Sequence, residues 1–424
     1  MSEPLNDHQR RELREEVRAW LAENWGPEGR AWAGDDWNPA KRPRLGGSAG
    51  KASSPEAAAW IAKVVDAGWA VPRWSKDWFG RDLVDADARI IEEAFTEAQA
   101  PGWGQDRYNL WANTLFARGS EALKRKLIGP LLRGEIAMCL LYSEPGAGSD
   151  LAGLRTRAEP DGDNYVINGQ KVWTSGAAVA DYGMLLARTD WDVPKHAGLS
   201  FFFCPMKQPG IEVRPLRQIT DESHFNEVFI TDAVAPAENL LGELNKGWSV
   251  LQTALAYERS KMGDGGRGGR SGADTANDED VLLEIARDLG ALKDTATRQD
   301  LARVIALRRV NALNNARAKA ELGQGTASPL MSLGKLAMSR ILHEEARVRT
   351  AMLGAASLLE GPDYPRSEDA NFLTLNAYFT SIGGGTDQIQ RNIIGERVLG
   401  LPKEPEVDRD IPFRQVQTGV GKQA

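Results

Sequence analysis

A chain of 424 residues is longer than one ordinary hydrophobic core, so two or three domains are expected. Its formal net charge of −7 argues against an electrostatic nucleic-acid binder, and 42% hydrophobic with 26% charged residues is the balance of a soluble globular protein. No apolar run approaches the roughly 18 residues of a membrane span. The N-terminal MSEPLNDHQRRELREEVRAWLAEN is charged and helix-like, without a secretory core, so a cytoplasmic protein is expected. Cys139 and Cys204 sit in apolar, strand-like runs and read as buried free thiols. The four histidines have no metal-ligand spacing, so no metal site is expected.

Up to about residue 133 the pattern is helical. Leu13, Val17, Trp20 and Leu21 share one face of a first helix, and further helices are expected at 55–68, 84–99 and 120–133. The Pro/Gly/Ser-rich loop 40–54 contains Gly46-Gly47-Ser48-Ala49-Gly50, a match to the hydrolase pattern G-x-S-x-G. It lacks the strand-to-helix context of a nucleophile elbow, so the loop reads as a plain connection.

From about Ile136 the period changes to two. RTRAEP, NYVI and QKVWTS read as three antiparallel strands joined by tight turns at Asp161-Gly162 and Asn168-Gly169. Strands are also expected at 181–188, 199–205, 211–215 and 226–231, giving a compact β-barrel or sandwich. The helical period returns at Gly247, with long segments at 247–262, 298–322 and 329–360 and a last helix at about 386–399. Four such helices suggest a bundle. The expected fold class is α+β: an N-terminal helical domain (1–135), a middle β-barrel domain (136–246), a C-terminal four-helix bundle (247–400) and a tail (401–424).

Two segments carry candidate chemistry. Tyr142-Ser143-Glu144-Pro145-Gly146-Ala147-Gly148-Ser149-Asp150 joins the helical zone to the strands, with glycines that allow close backbone approach and two hydroxyls for a ligand. Its spacing is not that of a dinucleotide-binding βαβ fingerprint, and a Gly-rich loop alone is more often just a turn. Lys171-Val172-Trp173-Thr174-Ser175-Gly176 sets a tryptophan beside small hydroxyl residues. Such a group is either barrel core or a surface for stacking on a flat heterocycle.

SEPGAGSD, NGQKVWTSG and GGGTDQIQRNIIGERVLGLP, in that order and spacing, resemble the acyl-CoA dehydrogenase family, as does AGWAVPRW near position 70. The resemblance covers roughly residues 5–400, and a DIPFR-type tail at 410–414 is similar to that of bacterial members. It implies FAD as cofactor and an acyl-CoA thioester as substrate. It further implies that Tyr142, Ser143 and Gly148 face the flavin, and that Ser149 meets FAD phosphate or the thioester end. Trp173 and Thr174 would pack at the isoalloxazine, with Ser175 near its N5. Thr386 and Gln388 match FAD contacts, and Gly354 falls where a partner subunit's FAD adenosine would bind.

The implied reaction is αβ-desaturation, with a carboxylate taking the α-proton as a hydride leaves the β-carbon for flavin N5. Many members carry that carboxylate just before the Gly-Thr of the last motif, where this chain has Gly384. Others, such as isovaleryl- and long-chain acyl-CoA dehydrogenases, carry it in a Glu-Arg pair on the first long C-terminal helix. Glu258 and Arg259 match that pair, so Glu258 is the implied base, with Tyr257, Arg259, Gly383 and Gly384 on the substrate. Glycines at 383 and 384 leave room for a long, branched or ring-bearing acyl group. The implied partners are an electron-transferring flavoprotein and other copies of the chain as a homodimer or homotetramer, a hetero-oligomer being the other arrangement. Two other readings stand beside this one: a non-catalytic scaffold subunit of a hetero-oligomeric dehydrogenase, and an oxygen-using flavoenzyme of the same fold.

Overall fold

The structure, a computed structural model, describes residues 3–26, 54–263, 279–322 and 330–417, with the side chains of 258–263, 279, 280, 319, 322 and 331 outside that description. The Gly46–Gly50 segment lies outside the described residues. The chain divides into two compact units, one of residues 1–216, 223–258 and 407–424, the other of 217–222 and 259–406.

In the first unit α1 (Asp7–Asn24) opens with a capping box. The Asn6 side chain accepts from the His8 and Gln9 amides while the Gln9 side chain accepts from the Asn6 amide. Its buried Leu13, Val17 and Leu21 are the stripe that the spacing predicts. Helices α2 (Pro55–Asp66), α3 (Asp85–Glu97) and α6 (Glu121–Leu132) follow as expected. Between them lie α4 (Gln105–Tyr108) and α5 (Leu110–Arg118), which the periodicity did not signal. Both are short, and Asn109 ends one while capping the other through the Ala112 amide, so neither has the length to show a repeating stripe.

Eight strands form one mixed sheet: β1 (Met138–Leu141), β2 (Arg157–Asp161), β3 (Asn164–Lys171), β4 (Tyr182–Arg188), β5 (Leu199–Pro205), β6 (Ile211–Leu216), β7 (Phe225–Pro236) and β8 (Leu240–Leu241). The hydrogen-bonded order is β6-β7-β3-β2-β4-β5-β8, with β1 parallel to β4. Strands β4 and β5 are buried on both faces. Met184, Leu186, Phe201 and Phe203 pack with the N-terminal helices, while Leu185, Ala187, Phe202 and Cys204 fill the other core. Their unbroken apolar runs follow from that double burial. Cys139 and Cys204 are buried free thiols, and burial pushes the Cys204 thiol up to about 12.

One expected hairpin is not formed. The β2–β3 turn is tight, with Gly162 at φ 57, but Asn168-Gly169 continues β3 as a bulge against β7. Asn168 instead exchanges two hydrogen bonds of 3.0 Å with Asp232 across that bulge. Gly169 is required by close packing, because a Cβ there would meet the Thr156 Cα at 2.7 Å. Gly169→Ala is therefore expected to cost about 1–3 kcal/mol by overpacking, read as a lowered urea midpoint at constant m-value.

In α7 (Gly247–Gly263) Val250, Leu251 and Ala254 belong to the first unit's core. The second unit holds α8 (Glu279–Asp288), α9 (Thr295–Leu322), α10 (Met331–Leu353), α11 (Pro365–Ile382) and α12 (Asp387–Arg397). Helix α10 packs against α9, α11 and α12, the helical bundle expected of this region. The helix expected over 329–360 stops at Leu353, where Gly354 takes φ 55 and a short 3-10 turn follows. Helix α11 was not signalled by periodicity: its buried apolar positions are Ala370, Leu373 and Ala377, and with alanine at two of the three they mark only a weak stripe. Among the described residues no helix is long and apolar enough to cross a membrane.

Candidate functional site

Three segments from the first unit's sheet meet around a buried ion pair. The chain leaves β1 through Tyr142 and Ser143 and reverses at once, with Glu144 and Ala147 exchanging backbone hydrogen bonds around Pro145-Gly146. The Val172 amide donates to the Ser143 carbonyl at 2.9 Å, which joins this turn to the segment after β3. Beneath it Lys171, with no exposed side-chain surface, donates to the Tyr142 and Leu186 carbonyls and to Glu144 Oε1. The other face of the Glu144 carboxylate accepts from the Arg155 and Thr156 amides. All three ammonium protons thus have acceptors and both carboxylate oxygens have donors, the condition for burying charge.

The pair's electrostatics follow from the same contacts. Burial would raise the Glu144 carboxyl, but the Lys171 ammonium and the two amides outweigh it and hold it below its ordinary 4.5. Burial lowers the Lys171 ammonium, with Glu144 opposing. A carboxyl held low in the folded state stabilises fully above its unfolded pKa, and that contribution is lost as pH falls through the folded value. Stability is therefore expected to fall below about pH 4.5, and Glu144→Gln to flatten that limb in a series of thermal midpoints. Equal acid sensitivity in both proteins would contradict this.

On this base stand the outward groups. Trp173 takes a left-handed backbone (φ 60) and leaves its indole 61% exposed, its edge against Phe225. A non-glycine residue in that region is uncommon and is held here by its neighbour. Thr174 is clamped to Asn226 by two backbone hydrogen bonds and by the Asn226 amide side chain at 2.9 Å. The Thr174 hydroxyl is buried without a hydrogen-bond partner. Gly148 and Ser149 are exposed, Ser143 and Ser175 half-buried, and a Cβ at Gly146 or Gly148 would meet nothing within 4 Å. The Tyr142 ring lies in the core against Phe201, so this position turns backbone rather than phenol toward the turn. An open backbone beside an exposed indole and an orphaned hydroxyl fits a flat, polar-edged heterocycle such as a flavin. Lys171, Glu144 and Asn226 were not singled out by sequence reasoning. The signal was present in Lys171, a charge inside a segment that otherwise reads as strand.

Further along α7, Tyr257 lines an open recess of about 600 Å³ with Arg118, Trp248, Gln252 and Thr253. The side chains of Glu258 and Arg259 lie outside the described residues. The remaining expected residues belong to the second unit. Thr386 caps α12 by accepting from the Ile389 amide, and Gln388 is exposed in its first turn. Gly384 and Gly385 have φ of 64 and 85, and a Cβ on Gly383 would meet Phe379 Cε2 at 2.8 Å. Gly354 ends α10 with open space at its Cβ position. Asp387 accepts from Ser339 at 2.8 Å and pairs with Lys335, which anchors the α12 start to α10. Among the described residues no cluster of His, Cys, Asp or Glu is suited to a metal.

Comparison with known proteins places these segments in context. Residues 139–232 match the profile of the acyl-CoA dehydrogenase middle domain, and 245–399 match that of the acyl-CoA dehydrogenase C-terminal domain. The chain is 36% identical over 411 residues to acyl-CoA dehydrogenase IpdE1 of Mycobacterium tuberculosis, covering 93% of this chain and 98% of that one. It is also 36% identical over 370 residues to acyl-CoA dehydrogenase FadE34 of the same organism, covering 82% of this chain but 48% of that protein, so it spans about half of it. Among solved structures, the Tcur3481-Tcur3483 steroid ACAD superposes with a TM-score of 0.69 at 26% identity, covering 95% of this chain and 100% of that one. The ChsE4-ChsE5 complex from M. tuberculosis gives 0.63 at 28% identity, with the same coverage.

Proposed function

This chain belongs to the acyl-CoA dehydrogenase family of FAD-dependent oxidoreductases, and from that premise we propose that it desaturates the αβ bond of an acyl-CoA thioester. The observation that carries the reading is the exposed Trp173 indole held beside the open Ser143–Ser149 turn by the Val172–Ser143 hydrogen bond. Trp173 and Ser175 would line the flavin ring, with Thr174 buried behind them; Tyr142, Ser143, Gly148 and Ser149 would present backbone and hydroxyl groups to the cofactor. Thr386, Gln388 and Gly354 supply its further contacts, in this or a partner subunit.

Bound FAD supplies the two-electron acceptor for the hydride leaving the β-carbon. Glu258 takes the α-proton, a task that suits a carboxylate desolvated enough to be basic near neutral pH. Gly384, at the alternative position for the base, has no side chain to titrate. Ser149, Tyr257, Arg259, Gly383 and Gly384 contact the acyl-CoA. The likeness to a protein titled a steroid ACAD supports a bulky, ring-bearing acyl group. Both solved relatives are named as two-component proteins, which supports assembly with a second chain over a homo-oligomer. Electrons then pass to an electron-transferring flavoprotein in the cytoplasm.

The test is spectroscopic. Purified protein is expected to be yellow, and its flavin absorbance to bleach anaerobically within a panel of straight, branched and ring-bearing acyl-CoA esters. Colourless protein, alone and with its partner chain, that no ester bleaches would overturn the reading. Hydrogen peroxide release faster than dye reduction would redirect it to an oxygen-using enzyme.

A further inference from the structure

The tail is not spent by the reading above. Residues 407–417 return to the sheet unit, and Phe413 is buried to 1% exposure. Its amide donates to the Val193 carbonyl at 2.9 Å and the Arg414 amide to that of Trp191 at 3.0 Å. The Arg414 side chain pairs with Asp192. The Phe413 ring lies beneath the Arg188 guanidinium, 3.4 Å from it, and packs on Trp191 with centroids 5.5 Å apart.

Arg188 connects this contact to the turn after the first motif. It is fully buried, and its hydrogen bonds run to three carbonyls, those of Leu154, Lys195 and Ala152, at 3.2, 3.1 and 2.6 Å. Lys195 makes a second connection, its ammonium shared between Asp150 at 3.1 Å and tail residue Asp408 at 3.0 Å. The segment 150–154 is thus held from below by two cations, and the tail contacts both. A flat aromatic face satisfies a buried guanidinium without the hydrogen-bond geometry of a carboxylate, which leaves the arginine's donors for backbone.

We propose that the 407–417 tail is a positioning strap, in which Phe413 acting through Arg188 and Asp408 acting through Lys195 hold the Ser149–Leu154 segment in its ligand-binding conformation. The proposal rests on the reading of Ser149 as a cofactor or substrate contact. Phe413 and Asp408 contact Arg188 and Lys195 respectively, so their effect on binding is expected to pass through the segment those cations hold.

The experiment compares full-length wild-type, Phe413→Leu, Phe413→Tyr and Asp408→Asn proteins by amide hydrogen exchange and by acyl-CoA titration. Phe413→Leu keeps apolar volume and loses the π face; Phe413→Tyr keeps both. Exchange over 146–154 is expected to speed roughly tenfold in Phe413→Leu and Asp408→Asn, while 199–205 of β5 is unchanged and Phe413→Tyr matches wild type. KM for acyl-CoA is expected to rise about fivefold in the same two variants, with kcat within about twofold. Exchange that rises equally in β5 makes Phe413 a folding residue and overturns the strap, as does an unchanged 146–154 segment. A loosened segment with unchanged KM overturns its positioning role. Failure of every acyl-CoA to bleach the wild-type flavin sinks the functional reading instead, and the exchange comparison still judges the strap.

Discussion

Glu258→Gln is expected to leave the protein folded and FAD-bound and to lower the rate of anaerobic flavin bleaching by acyl-CoA by about 10²–10⁴-fold. Glutamine keeps the size and hydrogen-bonding reach of the side chain but cannot accept a proton at neutral pH. With Glu258 as the proposed base, a desaturation whose barrier includes α-proton removal would lose that base and little else. The chain offers no second carboxylate at the family's other position. Gly384 stands there with φ 64, a backbone conformation that L side chains rarely adopt. Stopped-flow absorbance at the flavin band, with FAD content measured alongside, separates lost chemistry from lost cofactor. Bleaching at the wild-type rate would remove Glu258 from the mechanism.

Lys171→Met is expected to lower folding stability by about 3–5 kcal/mol, the scale for stripping one partner from a buried ion pair. Methionine fills the lysine's volume without its charge, so Glu144 is left ionised and buried with only the Arg155 and Thr156 amides to solvate it. The Tyr142 and Leu186 carbonyls lose their donor at the same moment. These groups sit directly under the Ser143 turn, so FAD affinity is expected to fall together with stability. Equilibrium urea unfolding of apo and FAD-loaded protein measures both. In a double-mutant cycle with Glu144→Gln the two losses are expected to be strongly non-additive, because the neutral amide no longer needs the cation. A Lys171→Met midpoint within about 0.5 kcal/mol of wild type would show the pair to be dispensable.

These two predictions come from different kinds of knowledge. Glu258 was reached from the order of three motifs and from the glycine at position 384, and its helix, α7, forms where the apolar spacing predicts it. Lys171 was quoted as part of a motif, yet nothing in NGQKVWTSG says that its ammonium is wholly buried or that it reaches Glu144, 27 residues earlier. The strand β3 that carries it was read as ending at Asn168-Gly169. The dipeptide is a strong turn signal locally. The close approach of Thr156 and the pairing of Asn168 with Asp232 on β7 decided otherwise.

The sequence by itself determined what depends on near neighbours: the helical–strand–helical succession, the stripe of α1, strands β4 and β5 and the ordered motifs that mark the family. Periodicity, capping and turn chemistry act over a few residues, so they are written in a few residues. Only the tertiary structure decided the bulge at Gly169, the early end of α10 at Gly354, the Asn226 clamp on Thr174 and the docking of Phe413 under Arg188. Each of these, apart from the helix end, joins residues tens to hundreds of positions apart. Their partners are chosen by burial, which obliges a polar or charged group leaving water to find whatever donor or acceptor the fold has brought within 3 Å or so.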